Sequence, residues 1–133
     1  VADAGFDAFV TRNWTALAAG KTLALDFAIP ARGSAYGFKV ARHDEVAIDG
    51  TPALTFRLQL GGMLAWFVPT IDASYARDSH RLLRFEGVTN IRSSKGGQMT
   101  ARIDFPAAAP MPIAAAALQD AMTQPLKSCT VAR

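Results

Sequence analysis

The sequence predicts an α+β domain that is mainly β: a single curved antiparallel meander sheet of about six strands packed on an N-terminal helix, with a C-terminal Ala-rich helix. Three observations carry this. Apolar residues recur at helical spacing at the start of the chain. From Lys21 the period drops to two, and it holds in separate runs as far as Phe105. Turn residues divide those runs, and the connections are short, which favours strands lying beside their sequence neighbours.

Taken in order, the first element is a helix with Asp3 as its cap and Asp7 in its first turns, where negative charge suits the helix dipole. Phe6, Val10, Asn13 and Leu17 follow helical spacing, Phe9 and Trp14 broaden the stripe, and Gly20 ends it. A stripe this wide and aromatic belongs on the main core. Leu23, Leu25, Phe27 and Ile29 then alternate with Thr22, Ala24, Asp26 and Ala28 until Pro30. After the turn ARGSAYG, Tyr36, Phe38 and Val40 start a second strand, which is expected to end near Arg42. The stretch HDE is expected to turn into a short strand at Val46–Ile48. Asp49-Gly50 is a hairpin signal, because both central positions of a tight primed turn need positive φ. Leu54, Phe56, Leu58 and Leu60 alternate beyond it.

GGMLAWFVP interrupts the alternation with an apolar run closed by Pro69. Period two resumes at Ile71, Ala73 and Tyr75. RDSH turns into LRFEGVTNIR, and SSKGG turns out of it. On that strand Leu83, Phe85, Thr89 and Ile91 share one side, and Met99, Ala101, Ile103 and Phe105 form the apolar side of the last strand. Pro106, Pro110 and Pro112 mark a linker, and the Ala-rich helix is expected to begin near Pro112 with a thin stripe of Ile113, Leu118 and Met122. Residues 1–105 thus form the helix-plus-sheet domain, and 106–133 a linker and tail helix of the same domain.

Charge selects the register of the last hairpin. Pairing Glu86 with Arg102 also sets Arg84 opposite Asp104, whereas a two-residue slip sets Glu86 against Asp104. The favoured register places Gly87 opposite Ala101. Glycine inside a strand marks a bend, a bulge or close approach of another group. The expected neighbour at this thin point is Phe9, Trp14 or a bound apolar molecule.

Half of the 133 residues are hydrophobic and 19% are charged, as in a folded globular domain. The net charge of +3 comes from scattered basic residues, not from the dense patch that marks a nucleic-acid surface. No apolar run approaches the ~20 residues of a membrane-spanning helix. The lone Cys129 excludes an internal disulfide. The chain opens on Val1, which a cleaved export signal or a cut made at that point would each explain.

The phrase RDSHRLLRFEGVTNIR, preceded by VPTIDASYA, resembles a group of uncharacterised exported bacterial proteins. The one-faced curved meander with a helix against it resembles the half-barrel fold of LolA- and LppX-type lipoprotein carriers. The resemblance covers roughly residues 5 to 105 and carries over no functional residue. It implies a periplasmic or otherwise exported cell-envelope location and an apolar ligand.

The chemistry-bearing residues are sparse. His43 and His80 fall in expected turns, where a histidine is ordinarily solvated. No spaced His or Cys set suits a metal, and neither glycine pair has the context of a phosphate loop. Asn13-Trp14-Thr15 matches a glycosylation triplet in letters, but inside a helix. Asp26, Asp72, Glu86 and Asp104 lie on polar faces among arginines, which reads as salt-bridged surface. The anomalous element is the apolar lip Met63, Leu64, Ala65, Trp66, Phe67 and Val68, either a crossing segment that caps the core or a contact surface. The expectation is therefore a non-enzymatic envelope domain, without catalytic residue, cofactor or metal, that binds an apolar small molecule, a lipid or an envelope protein. Its candidate ligand-binding residues are Met63, Leu64, Trp66, Phe67, Tyr75, Phe85, Gly87 and Ala101. The rival expectations are an enzyme with its site on the concave face and a purely structural module of an envelope assembly.

Overall fold

The computed structural model describes residues 5–29, 34–61, 69–106 and 112–124. The element order is α1 (Gly5–Arg12), α2 (Trp14–Ala18), β1 (Leu23–Ile29), β2 (Ser34–Ile48), β3 (Thr51–Leu60), β4 (Ile71–Ala76), β5 (Leu82–Arg92), β6 (Gln98–Asp104) and α3 (Ala115–Thr123). Among the described residues the strands form one antiparallel sheet of six, in the order β1-β2-β3-β4-β5-β6. The meander and the mainly β class are as the sequence pattern requires.

The expected single N-terminal helix is two. Asn13 leaves the helical region at φ −107° and ψ 15°, and its side-chain amide donates to the Phe9 carbonyl at 2.8 Å. Such a local bond offers the backbone an alternative to the helix ladder. The break does not expose the stripe: Val10 and Leu17 are fully buried, while Phe6, Phe9 and Trp14 are partly so. Gly20 ends α2 at φ +82°, with Gly20 N–H donating to Leu17 and Lys21 N–H to Ala16, the bond pattern of a helix closed by a left-handed residue. Asp3, the expected cap, lies outside the described residues.

The helices pack on the apolar face of β1–β4. Leu25, Val40, Leu54, Phe56, Leu58, Ala73 and Tyr75 form its buried centre with Val10 and Leu17. Trp14 meets Phe56 edge-on with ring centroids 5.4 Å apart, and Tyr75 at 6.4 Å, the geometry that aromatic quadrupoles favour.

Three irregularities depart from plain alternation. The expected turn at HDE does not exist: β2 runs through it as one strand of 15 residues. Arg42 pairs with Phe56 and Asp44 with Thr55, so His43 is the extra, unpaired residue of a bulge. A bulge absorbs one residue and bends the strand without ending it. A second shift, between Ser74 and Tyr75, separates Leu83 from the main core. Leu83 joins Ile48, Ala53 and Ala76 in a second small cluster. Ala53 and Ala76 adjoin Leu54 and Tyr75 of the main core, so alternation places this cluster on the opposite face of the sheet. The third shift falls between Val88 and Arg92. There Thr89 Oγ1 donates to the Met99 carbonyl at 3.0 Å and accepts from Ile91 N–H at 3.2 Å. Thr89 is buried as expected, but the bulge leaves Ile91 51% exposed.

The polar face is tied across strands. Arg57 grips Asp72 with two bonds of 2.7 and 2.6 Å, and these raise the guanidinium's pKa further. Thr55 and Ser74 share a buried hydroxyl bond of 2.8 Å. Asp49 and Gly50 take φ of 49° and 77°, the primed turn that the pair signalled. The tail helix starts three residues later than expected: Ala114 is extended at φ −60° and ψ 139°, and α3 follows it.

Candidate apolar docking surface

The register of β5 and β6 is the one that charge pairing selects. Arg84 stands opposite Asp104, Glu86 opposite Arg102 and Gly87 opposite Ala101. Arg84 Nε donates to Asp104, which together with Arg102 holds that carboxyl below the usual carboxylate range. Arg102 donates to Asp104 as well, at 3.0 Å. This places the charges of β5 and β6 on the polar face and leaves Phe85, Gly87, Met99, Ala101, Ile103 and Phe105 on the other. Phe85 is opposite both Ala73 and Ile103, so this side continues the apolar face on which α1 and α2 sit.

The expectation of a buried β6 face is not met. Met99 is 42% exposed, Ile103 36% and Phe105 38%, and β6 contributes to neither core cluster. The reason is area. A helix is ~10 Å across with its side chains, whereas strands spaced ~4.8 Å apart make a six-stranded sheet ~24 Å wide. The N-terminal helices pack over β1–β4, and among the described residues the face at β6 stays exposed. That arithmetic was available from the sequence. Alternation alone names the apolar side of a strand and not what covers it.

The candidate residues separate into three groups. Met63, Leu64, Trp66 and Phe67 lie outside the described residues, as do Ala65 and Val68 of the same lip. Tyr75 is 1% exposed beneath Trp14, so it belongs to the core and not to a ligand surface. Phe85 and Ala101 are half-buried and flank the open face, with Gly87 between them in register. The atoms nearest to the missing side chain of Gly87 are not those of Phe9 or Trp14. A Cβ built there would lie 3.0 Å from Ile71 Cα and Cγ1 and 3.1 Å from the Thr70 carbonyl oxygen. The close approach of β4 takes up the space expected to hold a helix side chain or a ligand. Exposed Ile91, Met99, Ile103 and Phe105 are the surface residues that sequence reasoning assigned to the core.

Asp7 of α1 lies against the Tyr75 phenol. Burial, reinforced by the Asp7 carboxylate, raises the pKa of the Tyr75 phenol, which makes it a hydrogen-bond donor and not a base. His80 sits in the expected turn with φ +55°, but it is half-buried rather than solvated. Its ring stacks on Trp14 at 3.9 Å with 24° between planes, sealing the edge of the core. Asp72 and Glu86 are cross-strand neighbours, but Asp72 is committed to Arg57. Two shallow depressions, of about 190 and 210 Å³, lie on the polar face, one lined by Glu45, Val46 and Arg77 and the other by Lys39, Arg42, His43 and Arg57. Among the described residues, no three His, Cys, Asp or Glu side chains come together to hold a metal, and no helix is long and apolar enough to cross a membrane. The arrangement offers an exposed, uncharged apolar row at one edge of the described sheet. No family model matches the sequence, and no curated protein and no solved structure matches the chain.

Proposed function

We propose that the protein is a non-enzymatic cell-envelope domain, periplasmic or otherwise exported, that binds an apolar ligand of lipid type on the open face of β5 and β6. The observation that carries this reading is the exposure of Met99, Ile103 and Phe105 on a strand whose charged side chains all point the other way. Scattered exposed apolar residues are ordinary, but a contiguous row flanked by partly buried Phe85 and Ala101 is a contact surface. The Arg84–Asp104 pair keeps the charges of β5 and β6 on the other side of the sheet from that row.

An environment-sensitive apolar fluorophore, then a fatty acid that displaces it, tests the reading. Binding is expected for the unaltered protein. Ile103→Asp should weaken it about tenfold or more, equivalent to ~1.4 kcal/mol, with the fold kept because Ile103 is already 36% exposed. Equal binding by the two proteins would place the ligand elsewhere, and no binding by either would remove the reading. Native mass spectrometry after gentle purification would identify a co-purifying lipid directly.

A further inference from the structure

The tail helix is short of everything that holds a helix together. α3 has nine residues, no buried side chain, no side-chain cap bond at Ala114 and no acidic residue in its first turn. Isolated helices shorter than ~12 residues are marginal in water, so a helix of this kind persists by docking. Its sequence gives it one face to dock with. Leu118 and Met122 are four residues apart and lie on the same side, and both are exposed, at 51% and 73%. Its single charge, Asp120, is two residues from each of them and falls on the opposite side.

We propose that α3 is the cover of the open β5–β6 face of its own chain, a lid that closes over Met99, Ile103 and Phe105 and that an apolar ligand displaces. The spacings match. Leu118 and Met122 are separated along the helix by ~6 Å. Ile103 and Phe105, alternate residues of an extended segment, are separated by ~6.8 Å. The alanines around Leu118 let the helix approach a flat sheet closely. Reach is sufficient: ten residue steps lead from Phe105 to Ala115, up to ~33 Å of chain, against ~24 Å for the length of the seven-residue β6. A tether this short holds α3 near its own sheet at an effective concentration in the millimolar range, which favours its own chain over a second copy. The docking of the lid does not depend on the ligand reading, since the helix and the sheet face complete each other with no ligand present; its displacement by a ligand rests on that reading.

The test is a cysteine pair, Ile103→Cys with Leu118→Cys, in full-length protein carrying Cys129→Ser. Mild oxidation at low protein concentration should give an intrachain disulfide in a monomer. The control pair Arg102→Cys with Leu118→Cys, from the polar face, should not form one. A disulfide-linked dimer would overturn the proposal in favour of exchange between copies, and failure to cross-link above the control would overturn it outright. Hydrogen exchange gives a second measurement: protection of the α3 amides should be lost in Ile103→Asp, and unchanged protection would refute docking on this face. Binding of the apolar fluorophore, compared between oxidised and reduced forms of the cysteine pair, separates the two readings. Loss of binding on oxidation supports a lid over the ligand surface. A cross-link with no fluorophore binding in the reduced form keeps the lid and removes the ligand, whereas binding without a cross-link keeps the ligand and removes the lid.

Discussion

Gly87 is the residue whose replacement the structure penalises twice. Its φ of +151° is one that side-chain-bearing residues rarely adopt, and the space beside it is closed by Ile71 Cα, which is backbone and cannot rotate away. Gly87→Ala should therefore destabilise by at least ~1 to 3 kcal/mol from backbone strain alone, seen as a lower denaturant midpoint at unchanged slope. A neutral substitution would mean that β4 and β5 are more loosely paired than described. Tyr75 gives a second prediction at this scale. Its phenol pKa is raised in the fold by burial and then by Asp7. Below pH ~10, the ordinary tyrosine value, both folded and unfolded chains keep the proton and the contribution of Tyr75 is full. Above it the unfolded chain releases the proton first, so stability falls as pH rises toward the folded pKa. Denaturant midpoints measured from pH ~8 to ~11 should decline less steeply in Tyr75→Phe than in the parent, and parallel declines would assign the alkaline loss to other groups.

At the scale of elements, burial is unequal along the N-terminal helices. Leu17 is fully buried, so Leu17→Ala should cost ~2 to 5 kcal/mol. Phe6 is only partly buried at the start of α1, so Phe6→Ala should fall at or below the low end of the ~3 to 5 kcal/mol range of a core phenylalanine. Thermal or urea melts in which Phe6→Ala is the more damaging of the two would reverse this order. The contrast shows how much of the molecule was legible. Helical spacing named Val10 and Leu17 as core residues, and alternation with charge named the partner of every residue from Arg84 to Gly87. It failed where local polarity imitates a turn, at His43, because a bulge and a turn are built from the same polar residues. It failed again at Met99 and Ile103, because burial depends on what lies above a strand and no pattern within the strand encodes that. Of the candidate ligand residues, Phe85 and Ala101 flank the open face, and Tyr75 is core because α1 and Trp14 close over it.

For the whole molecule, the strictly sequential strand order gives an expected gradient of protection. From Ala53 to Leu58, β3 is paired on both sides, and it holds Leu54, Phe56 and Leu58, so the amides of that stretch should exchange only through global unfolding. β6 has β5 on one side, adds no buried apolar side chain and has an irregular register beyond Val88. Its amides should exchange by local opening, well before those of β3, in native-state hydrogen exchange followed by mass spectrometry. Uniform protection across both strands would indicate that the sheet opens as a single unit.

The primed turn at Asp49-Gly50 also sets the order in which the molecule assembles. It joins the longest pair of strands through the shortest possible connection, so the least loop entropy is lost in forming it, and β2 with β3 is the natural nucleus. Each later strand then adds next to the one made just before it. Contacts between sequence neighbours favour rapid folding. During synthesis the sheet of described strands therefore grows outward from an early hairpin.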